Sequence, residues 1–212
     1  MTYDQVYLGA VVAVFLITFG ATMVFVRRRG HDPRGVINGH IGGAIVTSVA
    51  SLLWLGVTLC YVFEARSVTQ FGRIAFLDYG AIKGVGITLS TIGLLVGIAG
   101  EVTLGASFCL ALPREKTTLV TRGIYRTIRN PCVLGVFLLA LGTLLIAPSL
   151  LALVALVGNV IGYELKVRAE EVYLRQMHGA AYEAYCARTG RYLPLIRRRE
   201  GDKPGNSEAQ PR

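Results

Sequence analysis

The residues of this chain whose types and spacing could do chemistry begin with a basic segment, LVTRGIYRTIRNPCVLG, at residues 119–135. Three of its arginines, the last of them Arg129, recur at spacings of four and three, which is close to a helical period. Asn130 and Pro131 follow, and these residue types favour an N-cap and a first helical position. Because the N–H groups at a helix start are free and the dipole is positive there, the segment could bind an anionic group. The same pattern is typical of a topology signal before a membrane helix, and spacing alone favours that interpretation.

A second charged group lies further along the chain, in the stretch YELKVRAEEVYLRQMH. Lys166 and Glu170 are four residues apart, as are Glu171 and Arg175, so each pair can meet on one face of a helix. The two adjacent glutamates point about 100° apart around such a helix. Taken alone, this arrangement is typical of a solvated helix stabilised by pairs of opposite charge.

The composition is that of an integral membrane protein. Of the 212 residues, 53% are hydrophobic and 17% charged, and the mean hydropathy is +0.52. The net charge of +9 could suggest nucleic acid, but the basic residues cluster between and after apolar segments, which argues against such a partner. The three histidines have no metal-ligand spacing, so we predict no metal site.

The elements that must position these charges are apolar helices, and we predict an all-α, polytopic membrane helical bundle. Five spans are predicted, at about 6–26, 41–63, 81–100, 131–147 and 149–163. The first three are long enough to cross a hydrocarbon core of about 30 Å. The last two are short and are separated by Pro148, which indicates a helical hairpin. Its second helix is expected to continue past the membrane as a cytosolic extension and to end at Gly179.

The distribution of lysine and arginine predicts the orientation of these spans. Of the 22 such residues, only Arg66, Arg73 and Lys83 fall in segments assigned to the outer side. An excess of basic residues marks the cytoplasmic side, so we predict an N-terminus outside and a C-terminus inside. Residues 1–199 are expected to form one membrane-embedded domain, and the polar tail 200–212 is expected to be disordered.

Small and charged residues in the third span carry further expectations. Gly93 and Gly97 form a GxxxG pair, which favours close packing of helices within the chain over a dimer face. Glu101 would be costly at the centre of a bilayer and is therefore expected at the inner interface. The segment from Thr103 to Leu112 is expected along or just under the membrane surface.

Two separated motifs resemble the isoprenylcysteine carboxyl methyltransferase and phospholipid methyltransferase family of integral membrane enzymes. GIYRTIRNPCVLG is similar to the first family motif at Gly123, Tyr125, Arg126, Arg129, Pro131 and Gly135. About 35 residues later, EEVYLRQMHGAAYEAYCARTGRYLP is similar to the second at Glu170, Glu171, Leu174, Gly179, Tyr182 and Tyr185. TLGASF, at 103–108, resembles the segment that precedes the first motif. The resemblance covers roughly residues 101–194. Two departures are Asn130, where many members carry His, and Cys132-Val133 in place of Met/Ser-Tyr.

The resemblance implies S-adenosylmethionine as the cofactor, held on the cytosolic side between residues 101–135 and 163–194. On this basis the cofactor contacts are expected at Thr117, Leu119, Val120, Tyr125, Asn130, Pro131, Leu134, Glu170 and Glu171. The catalytic residues are expected among Arg129, Glu170, Lys166 and Arg168, with either Lys166 or Arg168 holding an anionic acceptor.

The implied activity is methyl transfer to a lipophilic acceptor that arrives through the membrane lipids, either a prenylated thiol-carboxylate compound or a phospholipid amine. A carboxylate acceptor is already a nucleophile, whereas an amine must lose a proton, for which Glu170 or Glu171 could serve. One alternative is a membrane reductase with a nicotinamide cofactor, since sterol reductases share a similar C-terminal architecture. Another is a non-catalytic membrane protein whose basic face binds anionic lipid.

Overall fold

The computed structural model of the protein describes residues 1–30, 41–70, 72–109 and 118–195. Seven α-helices lie in these ranges: α1 (Tyr3–Arg28), α2 (Ile41–Phe63), α3 (Ala65–Gln70), α4 (Gly80–Leu104), α5 (Pro131–Ile146), α6 (Leu150–His178) and α7 (Ala180–Cys186). Short 3₁₀ turns lie at Ala75–Leu77, Gly105–Ser107 and Gly123–Arg126. The described ranges contain no named β-strand, and the predicted all-α class is confirmed.

Four helices, α1, α2, α4 and α6, are long and apolar enough to cross a membrane. Helix α5 is also apolar but has only 16 residues, or about 24 Å of rise, which is less than the thickness of a hydrocarbon core. The protein is thus a multi-pass membrane protein with a short fifth helix in the bundle. Helix α6 runs for 29 residues and is followed by Gly179 at φ +51°, as its sequence predicts.

Helices α4 and α5 pack with their backbones in contact. A Cβ built on Gly135 would lie 2.7 Å from the carbonyl oxygen of Gly93 and 2.9 Å from the Cα of Gly97. Only glycine therefore permits this approach, and the GxxxG pair packs within the chain as predicted. The contact brings the C-terminal part of α4 against the start of α5, where the basic segment ends.

Helix α6 is held against the bundle by α2 and α5. Gly162 lies against Thr47, since a Cβ at Gly162 would be 2.7 Å from the Thr47 nitrogen. Ser51 donates a 2.8 Å hydrogen bond to the Oδ1 of Asn159, which is buried. Such polar contacts between apolar helices fix their rotation about the helix axis.

The segment 64–80, which lies between two predicted spans, contains the short helix α3 and a 3₁₀ turn. A six-residue helix is marginal by itself. Val68 of α3 is buried in the core cluster with Leu8 and Val57, and this packing stabilises the helix. The same segment joins the α5–α6 turn, because Ile74 N–H donates to the Pro148 carbonyl at 3.1 Å.

Some expectations fall on residues that the structure does not describe. They are the disorder of the tail at 200–212, the cofactor contact at Thr117, and residues 110–112 of the surface segment. Before those residues, α4 ends at Leu104 and the chain continues through the turn Gly105–Ser107.

Candidate active site

The two sequence motifs meet through their backbones. Arg129 N–H donates to the Gly190 carbonyl at 2.8 Å, Asn130 N–H donates to the Arg191 carbonyl at 3.1 Å, and Gly190 N–H donates to the Thr127 carbonyl at 3.1 Å. A side chain at Gly190 would overlap the carbonyl of Leu193, so the turn that follows the pairing requires glycine. Residues about 60 positions apart in the sequence are thereby held in register at the start of α5.

A glycine also shapes the approach to this pairing. Gly123 has φ +56°, and a Cβ there would lie 3.0 Å from the side chain of Thr103 at the end of α4. The turn Gly123–Arg126 therefore packs directly against α4. Its Tyr125 points into the protein, with 7% of its surface exposed.

A cavity opens where α1, α4, the turn at 123–126, α5, α6 and α7 converge. Charged and polar residues line one part of it: Glu101, Tyr125, Arg129, Asn130, Lys166, Glu170 and Glu171. Apolar residues line the rest, among them Phe15, Phe19, Leu94, Ile98, Leu104, Phe108, Leu119 and Val120. A cavity with a few polar groups at one end and an apolar wall is typical of a small-molecule site.

Glu171 is the centre of an ion-pair network beside the cavity. Its side chain is 3% exposed and accepts from Arg191 at 2.6 Å and 3.1 Å, and from Arg129 at 3.4 Å. Hydrogen bonding to Glu171 raises the pKa of Arg191. Arg129 also donates to the carbonyls of Cys186 and Thr189. The carboxylate of Glu171 and the guanidinium of Arg129 are thus occupied by the protein itself.

Glu170, one position earlier, faces the cavity instead. Among the described residues it has no ion pair or hydrogen bond. Lys166 lines the same wall and lies 5.6 Å from the centre of the Tyr163 ring. The cavity therefore contains one carboxylate and one ammonium group, one turn apart on α6, that are available to a ligand.

The pairing of charges along α6 differs from the solvated helix that spacing suggests. Glu171 does not pair with Arg175, which binds Glu183 at 2.9 Å instead. Lys166 and Glu170 share a wall of the cavity but form no ion pair. The reason is that one side of α6 packs on the α5 start and the C-terminal segment, so Glu171 points inward to Arg129 and Arg191.

Of the two candidate basic residues on α6, the structure brings only Lys166 to the cavity. The side chain of Arg168 is 68% exposed and binds Glu164 at 2.8 Å. The two side chains differ by two positions, about 200° around the helix, so they lie on opposite sides. Arg168 therefore does not line the cavity, and its catalytic role stays a prediction.

The other predicted contacts divide between the cavity wall and its support. Leu119, Val120 and Asn130 line the cavity, whereas Pro131 and Leu134 do not. Pro131 is the first residue of α5, and Asn130 occupies the N-cap position as predicted. The Asn130 side chain makes no capping hydrogen bond, however, and its amide donates to the Arg191 carbonyl at 3.3 Å. The Asn130 side chain therefore contacts the C-terminal segment and does not cap α5.

Tyrosines of the two motifs contact one another at the cavity wall. The Tyr185 hydroxyl donates to the Tyr125 carbonyl at 2.8 Å, and the Tyr125 hydroxyl lies 3.5 Å from the Cys132 sulfur. Burial raises the pKa of Tyr125 well above its ordinary value and that of Tyr185 to about 12. Both phenols are therefore neutral near pH 7. The ring of Tyr182 lies 6.1 Å from that of Tyr185, so the two tyrosines pack against each other.

Sequence reasoning missed the contribution of α1 to the cavity. Phe19 of α1 packs edge-on against Phe108, with ring centres 6.3 Å apart. The Thr22 hydroxyl donates a 3.1 Å hydrogen bond to the carboxylate of Glu101. The available signal was the position of Glu101 itself, an acidic residue directly after an apolar span.

The part of the chain that the structure describes contains no group of three or more His, Cys, Asp or Glu side chains able to hold a metal ion.

Comparison with known proteins places these motifs in a wider group. Residues 82–181 match the family model described as phospholipid methyltransferase. A probable protein-S-isoprenylcysteine O-methyltransferase of Oryza sativa subsp. indica is 30% identical over 123 residues, which cover 56% of this chain and 64% of that protein. The protein-S-isoprenylcysteine O-methyltransferase of Xenopus laevis is 31% identical over 168 residues, covering 71% of this chain and 55% of the relative. The Schizosaccharomyces pombe protein of the same name is 32% identical over 111 residues, which cover 50% of this chain and 46% of that protein. The chain thus spans less than two thirds of the length of each of these relatives.

Proposed function

We propose that this chain is an integral membrane methyltransferase of the phospholipid methyltransferase family that uses S-adenosylmethionine, because residues 82–181 match the model of that family. The acceptor is lipophilic and enters from the bilayer. The alternatives of a membrane reductase and a non-catalytic lipid-binding protein have no support from the family match.

The observation that carries this proposal is the contrast between Glu170 and Glu171. Glu171 is fully occupied by Arg129 and Arg191, whereas Glu170 faces the cavity with no partner among the described residues. A carboxylate is costly to enclose without a counter-charge. The open position of Glu170 is therefore best explained by a ligand that carries positive charge or hydroxyl groups.

The chemistry of the donor set fits S-adenosylmethionine. Glu170 suits the amine or the ribose hydroxyls, and Lys166 together with the N–H groups at the start of α5 suits the carboxylate. Leu119, Val120 and the ring of Tyr125 suit the flat apolar adenine. When bound, the cofactor supplies a methyl group on a positively charged sulfur.

The protein's own residues would act mainly by positioning. The network of Glu171, Arg129 and Arg191 holds the α5 start against the C-terminal segment, so the cavity walls keep a defined separation. The aromatic wall from α1 and residue Phe108 excludes water from the acceptor side. Alignment and exclusion of water can supply much of the acceleration of a displacement reaction.

The acceptor class has two candidates at this point. The relatives are named protein-S-isoprenylcysteine O-methyltransferases, which favours a prenylated carboxylate. The family description favours a phospholipid amine. We also propose, from the lysine and arginine distribution, that the cavity end of the bundle is cytoplasmic and the N-terminus lies outside.

Calorimetry on detergent-purified protein tests the function directly. S-adenosylmethionine and S-adenosylhomocysteine should bind, and NADPH should not. Glu170→Gln should weaken binding of both sulfur ligands by about tenfold or more, because a charge-assisted hydrogen bond is lost. The matched control is Glu183→Gln on the exposed side of α7, which should bind like the parent. Absence of binding by either sulfur ligand, or equal binding by the parent and Glu170→Gln, contradicts the proposal.

A further inference from the structure

Glu101 is a second carboxylate in the cavity without a basic partner. It lies in the last turns of α4, is 8% exposed, and lines the cavity on the side that α1 closes. Its one hydrogen bond among the described residues comes from the hydroxyl of Thr22. A neutral hydroxyl compensates a buried carboxylate only in part. The carboxylate of Glu101 can therefore accept a further hydrogen bond from a ligand or pair with a positive charge on it.

Glu101 and Glu170 occupy different parts of the same cavity. Cys132, at the α5 start, lines the cavity together with both carboxylates and Lys166. Glu170 is on α6, next to the α5 start and the C-terminal segment, whereas Glu101 is on α4, next to the aromatic wall. If Glu170 binds the cofactor, Glu101 is available to bind the acceptor group, which enters along the apolar wall.

A count of charges among the described cavity residues separates the two acceptor classes. Arg129 and Glu171 bind each other and are not available to a ligand. In their ordinary ionisation states the remaining groups, Glu101, Glu170 and Lys166, sum to −1. Bound S-adenosylmethionine carries a sulfonium, an ammonium and a carboxylate, which sum to +1. The charges of these described residues and of the cofactor then sum to zero before any acceptor enters.

The acceptor that keeps the site neutral is an amine in its uncharged form. A carboxylate would bring the sum to −1 next to Glu101, in surroundings where water screens charge poorly. After transfer to an amine, the positive charge moves from sulfur to nitrogen, where a carboxylate can balance it. Resting on the function proposed above, we infer that Glu101 selects a lipophilic amine as the acceptor and disfavours a carboxylate.

The step can be written with its protons. The acceptor leaves its proton in water at the membrane surface and enters the cavity as a neutral amine, while Glu101 stays ionised. Its nitrogen lone pair then forms the bond to the methyl carbon, while the carbon–sulfur bond breaks and its electron pair stays on sulfur. The nitrogen takes the positive charge, which the carboxylate of Glu101 balances, and the product leaves as an ammonium ion.

Binding of two matched amphiphiles tests the inference without depending on turnover. The probes are dodecylamine and dodecanoate, which share one tail and differ in the head group. Each is titrated into detergent-purified protein saturated with S-adenosylhomocysteine. We expect the parent to bind the amine at least about tenfold more tightly, and to methylate it from S-adenosylmethionine in a parallel assay.

Glu101→Gln removes the charge but keeps an oxygen that can accept from Thr22. This variant should lose most of the preference for the amine, whereas the control Glu183→Gln should keep it. Glu101→Met, which also removes the charge, serves if the glutamine variant does not fold.

Two outcomes overturn the inference. One is a parent that prefers dodecanoate, and the other is an unchanged preference in the uncharged variants. If S-adenosylhomocysteine itself does not bind, the proposed function falls together with this inference. If it binds and no preference for the amine is found, only the role of Glu101 is wrong.

Discussion

Both ends of the helical bundle contain clusters of charged side chains, but they differ in whether the protein supplies the counter-charges. At the end away from the cavity, Lys83 lies 3.7 Å from Asp4 and 3.1 Å from Asp78. Tyr61 donates to Asp4 at 2.8 Å, and Arg73 binds Asp78. Each carboxylate of this cluster has a cation, and the cluster joins α1, α2 and α4.

At the cavity end, paired and unpaired carboxylates lie side by side. Glu171 is satisfied in the same way as the acids at the other end, whereas Glu170 and Glu101 form no ion pair among the described residues. Enclosing a charge without a partner costs free energy, so such groups are kept where a ligand completes them. The presence or absence of an internal counter-charge therefore separates structural acids from candidate functional ones.

The largest effect is expected from removing the charge of Glu171, the ion-paired carboxylate at the cavity end. Glu171→Gln leaves the guanidinium of Arg129, whose side chain is 13% exposed, without its carboxylate. Removing one partner of a buried pair costs about 3–5 kcal/mol. We expect a lower midpoint of thermal unfolding in detergent and loss of S-adenosylhomocysteine binding together. A variant that folds with parental stability but binds no ligand would instead give Glu171 a direct contact with the cofactor.

A smaller effect, on binding alone, is expected from the two basic residues of α6. Lys166→Met removes a cation from the cavity wall and should weaken S-adenosylhomocysteine binding by about tenfold, with little change in stability. Arg168→Met, its matched control, removes an exposed cation and should bind within about twofold of the parent. Calorimetry measures both. Equal losses in the two variants would mean that general positive charge, not position, matters.

The smallest effect is expected at the end away from the cavity. Tyr61→Phe removes the hydrogen bond to Asp4 and should lower the free energy of unfolding by about 0.5–1.5 kcal/mol. Cofactor binding should stay at the parental value. Tyr61 and its partner Asp4 lie at the end of the bundle away from the cavity, whereas Thr22 and Glu101 lie near the other ends of α1 and α4. Unfolding by denaturant and calorimetry on one preparation test both statements. A loss of binding without a loss of stability would contradict the separation of the two ends.

Much of the helical framework follows from local pattern. Apolar runs placed α1, α2 and α4 to within a few residues, and Gly179 marked the end of α6. The helix α3 was missed because its stability comes from packing of Val68 in the core rather than from its own six residues. Gly93 and Gly97 indicated close packing, but their partner, Gly135, is known only from the structure.

The candidate site, like the helical framework, could be predicted from the sequence only in part. The basic segment and the two adjacent glutamates predict where a ligand would bind. The arginines, the Asn-Pro helix start and the acidic residues can each be recognised in the sequence without knowledge of the fold. Helical spacing also shows that Glu170 and Glu171 point about 100° apart. It does not show which of them faces inward to the protein and which faces the cavity.

The sequence by itself thus determined the helices, their ends and the residue types available for methyl transfer. Only the tertiary structure decided that Glu171 belongs to a network with Arg129 and Arg191, that Lys166 and not Arg168 reaches the cavity, and that α1 brings Thr22 to Glu101. The physical reason is that a charged side chain takes its role from the counter-charge beside it. For Glu171 those counter-charges, Arg191 and Arg129, lie 20 and 42 residues away along the chain.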